Sequence, residues 1–169
     1  MQFTEYSPEW SETSRSLEEH ARAWSRRGDL ILRAGLGLPE MPSPALFNPM
    51  SGTVEVNTQV AFPGLTGDEV GELSRVGLTE YPIAGGLVFH EALHACHSTA
   101  DRTALDEIMT SDASSVYRDL EEVRIEGWGI KTFPRDRPYL RASARSIVIP
   151  SGEFDGDFDE RRACLLVLG

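Results

Sequence analysis

Cysteine is scarce in this sequence: two residues in 169, with no CxxC pair, cannot form a disulfide framework or a cysteine-based zinc knuckle. Basic side chains are also few, with 16 Lys and Arg against 27 Asp and Glu and a net charge of −11. This balance disfavours binding to nucleic-acid phosphates. No apolar run approaches the roughly 18 residues of a membrane span, and no basic, apolar leader opens the chain. We therefore expect a cytoplasmic protein without a membrane partner.

The length predicts a single domain over residues 1–169. A chain of this size buries roughly 70% of its unfolded surface on folding, so it needs neither disulfides nor a structural metal. Metal ligands, where they occur, are then expected to be functional. The chain ends on the apolar run CLLVLG, which favours a natural protein that continues beyond residue 169.

The first half of the chain has one long helical pattern and one clear strand pattern. A helix is predicted over Ser7–Gly35, broken near Gly28 or ending at Gly35. Its expected apolar face comprises Trp10, Leu17, Ala21 and Trp24. Residues 37–52 are rich in proline and glycine and predict a connector. The alternation of apolar and polar residues in Thr53–Phe62 predicts a strand.

The second half is predicted to be mainly helical. The expected helices cover residues 68–75, 83–99, 101–108, 111–127 and 157–169, with a loop bracketed by Pro134 and Pro138. Glycines Gly127 and Gly129 are expected to end the fourth of these helices. The predicted fold class is α+β, with helices packed on a small twisted sheet.

The segment His90-Glu91-Ala92-Leu93-His94 is an HExxH sequence on the predicted helix 83–99. The spacing of four places both imidazoles on one face, about 6 Å apart along the helix axis, so they can reach one ion. Two imidazoles are typical zinc ligands, and Glu91 between them can take a proton from a water whose pKa the ion has lowered. The spacing therefore predicts ligand, base, ligand.

A zinc ion held by two histidines needs at least one more protein ligand. The segment LEEVRIE, residues 120–126, offers three glutamates on a separate predicted helix, 27 to 32 residues after His94. As an alternative, LEEVRIE forms a solvated charged helix stabilised by Glu–Arg pairs.

Together, HEALH and LEEVRIE resemble zinc metallopeptidases of the gluzincin type, in which a glutamate from a later helix completes the HExxH site. The combination is most similar to compact metallopeptidase-like domains with an LE-E/D-x-R-x-E motif. The resemblance covers about residues 53–127 and implies a zincin-like fold with this segment as its core. It also implies that His90 and His94 bind Zn²⁺ and that Glu91 is the general base.

The identity of the third ligand stays open at this point. Many gluzincins place an acid that orients a ligand histidine four positions after the ligand glutamate, which favours Glu122 as ligand and Glu126 as the orienting group. A helical wheel instead places Glu121 nearer the edge of an apolar face that includes Leu120 and Val123, which makes Glu121 a rival. Glu126 is the remaining alternative ligand.

Four further features are candidates for substrate contacts. His97 continues the face of His90 and His94 but lies about 10 Å along the axis from His90, too far to share an ion, so we expect a peripheral role or none. Tyr139 and Arg141 are candidate donors to an oxyanion, with a structural role as the alternative. The strand 53–62 is an ordinary core strand by default, but as an edge strand it could bind a polypeptide by strand addition.

The functional hypothesis is a zinc metallopeptidase that hydrolyses peptide bonds. One alternative is a catalytically inactive zincin-like module that binds metal or another protein. A second is an interaction protein in which both motifs are surface charge.

Overall fold

The computed structural model describes residues 4–38, 43–73, 77–97 and 114–148. They form a mixed α+β fold in which helices pack on a small sheet, which confirms the predicted fold class. The hydrophobic core draws on both ends of this region, from Trp10 and Leu17 to Ile125 and Leu140. Among the described residues, no helix combines the length and the apolar character needed to cross a bilayer.

The described residues contain a four-stranded sheet with the spatial order β1-β2-β4-β3. Its strands are β1 (Thr4–Tyr6), β2 (Ile31–Gly37), β3 (Ala45–Asn48) and β4 (Thr53–Asn57). Strand β2 runs parallel to β4, with Leu32 opposite Val54, and the other two pairs are antiparallel. Strand β4 is therefore an inner strand, and β3 lies at the edge.

The N-terminal helix is shorter than predicted. A 3-10 turn at Pro8–Trp10 leads into helix α1 (Ser11–Ser25), which ends where Arg26 adopts a left-handed φ of 55°. The predicted continuation to Gly35 is wrong, because residues 31–37 form β2. In β2 the side chains alternate, with Leu32 and Ala34 buried and Ile31 exposed, and pairing with β4 outweighs the helical pattern.

The predicted apolar face of α1 is confirmed. Its members are all buried: Leu17, Ala21 and Trp24 in α1, and Trp10 in the 3-10 turn directly before it. Helix α1 packs through this face on β2 and on the helix that carries HEALH.

The predicted strand 53–62 is also shorter, and its expected alternation is absent. Strand β4 ends at Asn57, whose side chain accepts a hydrogen bond from the Gln59 backbone amide and starts the short helix α2 (Thr58–Ala61). All five residues of β4 are buried, including Glu55 at 4% exposure, so buried and exposed residues do not alternate along the strand. The default interpretation of this segment as a core strand is confirmed for residues 53–57, and the edge-strand alternative is wrong. The edge strand is β3, within the predicted connector 37–52.

The predicted helix 68–75 is present only as the short helix α3 (Gly67–Val70), because Gly71 ends it at a positive φ of 57°. The predicted helix 83–99 is present as α4 (Pro82–His97). A second 3-10 turn, Gly77–Glu80, precedes α4. Residues 74–76 and 98–100 lie outside the described residues, as do the predicted helices 101–108 and 157–169.

Helix α5 (Ser114–Thr132) passes through both glycines that were expected to end it. Gly129 is buried, and a Cβ atom there would lie 2.5 Å from Leu93 Cδ1 of α4. Glycine at this position lets the two helices approach closely, so it serves packing rather than termination.

The predicted loop after α5 is confined to residues 133–136. Helix α6 (Arg137–Val148) starts directly afterwards, with Pro138 in its first turn, where the missing backbone N–H has no intrahelical acceptor. Gly85 and Gly86 allow α6 to pack closely on α4, since a Cβ atom on Gly86 would overlap the Tyr139 carbonyl oxygen.

Candidate metal site

The two histidines of HEALH lie on one face of α4, as their spacing predicts. Helix α4 is apolar from Ile83 to Phe89, and it packs on β3, β4 and α5. The Nε2 atoms of His90 and His94 are 3.2 Å apart, and the ring centroids are 4.9 Å apart. Adjacent turns of one helix thus bring two nitrogen ligands together.

Glu122 of α5 faces both imidazoles. Its Oε2 atom lies 3.0 Å from His90 Nε2, and its Oε1 atom lies 3.3 Å from His94 Nε2. Within the described ranges, His90, His94 and Glu122 are the group that can hold a metal ion, with one ligand atom from each residue and all of them within 4.8 Å of one another.

The spacing of these atoms fits a tetrahedral ion. Ligand atoms at the usual zinc distances of about 2.0–2.1 Å stand about 3.4 Å apart at the corners of a tetrahedron. The two Nε2 atoms are 3.2 Å apart, close to that value. Each also lies 3.0–3.3 Å from one oxygen of the Glu122 carboxylate, His90 from Oε2 and His94 from Oε1. An ion held there by one atom from each of the three residues would keep a further coordination position for water or a substrate.

A buried oxygen atom without a donor also fits a cation. Glu122 Oε2 is buried and accepts no well-aligned hydrogen bond, although it lies 3.0 Å from His90 Nε2. Unpaired buried carboxylate oxygens are costly, and coordination to a cation satisfies them. The donor set therefore accommodates a divalent ion, but it does not identify which metal.

The histidines and glutamates of the site shift one another's pKa values. Burial alone would lower the pKa of the His90 imidazole, but the adjacent carboxylates of Glu122 and Glu126 together outweigh burial and raise the pKa well above 6.5. Burial would raise the pKa of the Glu122 carboxyl, yet His90 and His94 hold this pKa far below 4.5. Concentrated negative charge thus stabilises positive charge at the imidazoles, as it would at a bound cation.

Glu126 lies behind His90 rather than in the metal group. Its Oε1 atom is 3.0 Å from His90 Nδ1. A hydrogen bond donated by Nδ1–H to this carboxylate directs the lone pair of Nε2 towards Glu122 and His94. This geometry agrees with the orienting role that the resemblance implies for Glu126.

Glu91 is nearly buried, at 8% exposure, between α4 and the edge strand. Its Oε2 atom accepts a 2.7 Å hydrogen bond from the backbone amide of Phe47 in β3. The sequence offers no sign of this contact, because a backbone amide carries no residue signature and the pairing spans 44 residues.

Glu121, the rival third ligand, lies outside the metal group. Both of its oxygens accept 2.7 Å hydrogen bonds from Arg124. The helical-wheel argument for Glu121 is wrong, because Leu120 and Val123, on the apolar face that it used, are exposed. Helix α5 instead faces α4 through Ile125 and Gly129, on the same side as Glu122 and Glu126.

His97 also lies outside the metal group, as predicted from its axial distance. Its ring contacts Trp128 of α5 at a centroid distance of 3.9 Å. Burial lowers the pKa of His97, and the nearby charges of Arg124 and Arg26 lower it further. This histidine therefore belongs to the packing contact between α4 and α5.

Tyr139 and Arg141 are in helix α6, not in the predicted loop. The Tyr139 ring packs against Gly85, more than one turn before His90, and makes an edge contact with Trp24. Arg141 is exposed. These contacts favour the structural alternative for Tyr139, and neither residue belongs to the metal group.

The site thus combines the imidazoles of His90 and His94 with three carboxylates. Glu122 completes the metal group, Glu126 orients His90, and Glu91 is held at the edge strand.

Comparisons of the chain with protein-family models, with curated proteins and with solved structures find no match.

Proposed function

We propose that this protein is a zinc-dependent metallopeptidase with Glu91 as general base. The observation that carries the proposal is the group of His90, His94 and Glu122 on two separate helices, with Glu91 between the histidines in sequence. The donor set of two imidazoles and one carboxylate favours zinc. The resemblance of HEALH and LEEVRIE to gluzincins supports the same assignment.

Each residue of the site would have a separate role in the proposed reaction. His90, His94 and Glu122 would hold the ion, and Glu126 would keep His90 in the tautomer that presents Nε2. When bound, the ion supplies Lewis-acid chemistry, lowering the pKa of water and polarising a carbonyl group. Glu91 would take the proton of the attacking water at Oε1, since Oε2 is engaged by Phe47, and then pass it to the departing amine.

A polypeptide substrate would bind along β3 rather than along residues 53–62. In the part of the chain that the structure describes, β3 pairs with β4 alone, and the Phe47 amide points away from β4 towards α4. An extended peptide can add to such an edge through main-chain hydrogen bonds. The edge lies beside Glu91, where the scissile bond would be needed.

The alternative function is a metal-binding module without turnover. It is favoured by the burial of Glu91 and by its bond to the Phe47 amide, which together restrain the carboxylate. In that case the ion would stabilise the contact between α4 and α5 without activating water.

The test compares metal content with peptide cleavage in the wild type and in Glu91→Gln. Glutamine keeps a carbonyl oxygen for the Phe47 amide but cannot take a proton. We expect stoichiometric zinc in both proteins, with chelator-sensitive cleavage of a peptide library by the wild type and at least about a hundredfold less cleavage by the variant.

Undiminished cleavage by Glu91→Gln would contradict the proposed mechanism. Zinc binding without cleavage by the wild type would support the alternative module, and a wild type that binds no metal would overturn both functions.

A further inference from the structure

Arg124 connects α5 to the C-terminal end of α4. Its Nη2 atom donates a 2.9 Å hydrogen bond to the carbonyl oxygen of His97, the last residue of α4. Its Nε and Nη2 atoms also donate to the two oxygens of Glu121, both at 2.7 Å. The Glu121 side chain is only 12% exposed, so the carboxylate lies beneath the guanidinium and holds it in place.

A second arginine reaches the same helix end from another direction. Arg27 Nη1 donates a 3.2 Å hydrogen bond to the Ala95 carbonyl oxygen, and Asp29 holds the Arg27 guanidinium through bonds of 3.1 and 2.7 Å. The last four carbonyl groups of a helix lack intrahelical donors, and positive charge is favourable there. Both arginines therefore donate hydrogen bonds to carbonyl groups at the C-terminal end of α4.

The two contacts differ in what they attach to α4. Arg27 lies in the turn between α1 and β2, and neither that turn nor these two elements contain a residue of the metal group. Arg124 lies between Glu122 and Glu126 on α5, one turn or less from each of them. Its contact with His97 O sets how far α5 can slide along α4 or rotate against it, and thus where the two glutamates meet the histidines.

We infer that Glu121 and Arg124 are positioning residues, which hold Glu122 and Glu126 in register with His90 and His94. This inference rests on the proposed metal site. It also assigns a role to five of the seven residues of LEEVRIE: Glu122 and Glu126 face the imidazoles, Ile125 enters the core, and Glu121 and Arg124 hold α5 against α4.

The experiment uses the full chain and measures zinc affinity by competition with a chromophoric chelator, together with the visible spectrum of the cobalt(II)-substituted protein. We expect Arg124→Ala to weaken zinc binding by about tenfold or more, in the range seen when groups that support metal ligands are removed. The cobalt spectrum of this variant should also change, because the carboxylate of Glu122 is displaced. Glu121→Gln should show a smaller change in the same direction.

The matched control is Arg27→Ala, which removes an equivalent guanidinium from the same helix end. This variant should have a lower thermal unfolding temperature than the wild type. Its zinc affinity and its cobalt spectrum should equal those of the wild type. If Arg124→Ala does not fold, Arg124→Lys takes its place, since lysine keeps the charge but cannot bond Glu121 and His97 O with the same fork.

Equal effects of the Arg27 and Arg124 variants on zinc affinity would overturn the inference, because both contacts would then act only as helix caps. An Arg124 variant with unchanged affinity and spectrum would also overturn it while leaving the proposed function intact. A wild type that binds neither metal would overturn the proposed function and this inference together.

Discussion

Glu121 and Glu122 are adjacent in the chain, yet their carboxylates face different partners. Successive residues on a helix are rotated by about 100°, so only one of two neighbours can face the metal group. Glu122 lies within 3.3 Å of both Nε2 atoms, whereas Glu121 is engaged by Arg124. The difference between these residues is one of direction, not of chemistry.

The pair Glu122→Gln and Glu121→Gln tests this assignment at the residue scale. We expect Glu122→Gln to weaken zinc binding by more than about a hundredfold, because a ligand is lost, whereas Glu121→Gln should weaken it by about tenfold at most. Zinc affinity measured by chelator competition checks both values. The opposite order of effects would restore Glu121 as the ligand.

Helix α4 is the element on which the site depends, and its glycines determine how closely other helices approach it. Gly86 meets the backbone of Tyr139 and the side chain of Ser143 in α6, whereas Gly129 of α5 meets Leu93 of α4. Gly127, in contrast, has open space where a Cβ atom would lie. Gly86 and Gly129 thus permit close contacts between helices, whereas Gly127 makes no such contact.

Alanine substitutions at Gly86 and Gly127 should change stability in opposite directions. Gly86→Ala forces the α6 backbone away and should lower the free energy of unfolding by about 1–3 kcal/mol or more. Gly127→Ala should raise it by about 0.5–1 kcal/mol, because alanine has the higher helix propensity and meets no neighbour. Denaturant unfolding of both variants checks the pair. Destabilisation by Gly127→Ala would contradict the open environment.

For the molecule as a whole, the metal group couples stability to pH. The raised pKa of His90 gives the metal-free protein stability that is fully present below pH 6.5 and is lost as the pH rises through the raised value. The lowered pKa of Glu122 gives stability that is present above pH 4.5 and is lost as the pH falls through the lowered value. His90 and Glu122 therefore contribute most to the stability of the metal-free protein between about pH 4.5 and pH 6.5.

Zinc should oppose the loss of stability at higher pH, because the ion binds only deprotonated imidazoles. We expect the gain in thermal unfolding temperature on adding zinc to be larger at about pH 8 than at about pH 6. At a free zinc concentration of 1,000 times Kd the gain corresponds to about 4 kcal/mol. Calorimetry with zinc or with a chelator measures it, and His94→Ala is the control that should lose it. A gain that shrinks as the pH rises would contradict the site.

The sequence alone determined the local part of this protein. The spacing of His90 and His94 places both imidazoles on one face of any α-helix, and the apolar run before them makes that helix favourable. The same holds for the buried face of α1, whose apolar residues repeat at helical spacing. These features depend on neighbours within one or two turns, so they can be predicted without knowing the fold.

Only the tertiary structure decided how distant segments meet. Residues 31–37 pair with β4 as a strand despite a helical pattern, and β3 rather than residues 53–57 forms the edge beside Glu91. The rotation of α5 about its own axis, which directs Glu122 rather than Glu121 to the histidines, depends on Gly129 meeting Leu93 and on Arg124 meeting His97. Such contacts join residues tens of positions apart, and their energies arise only once both segments are packed together.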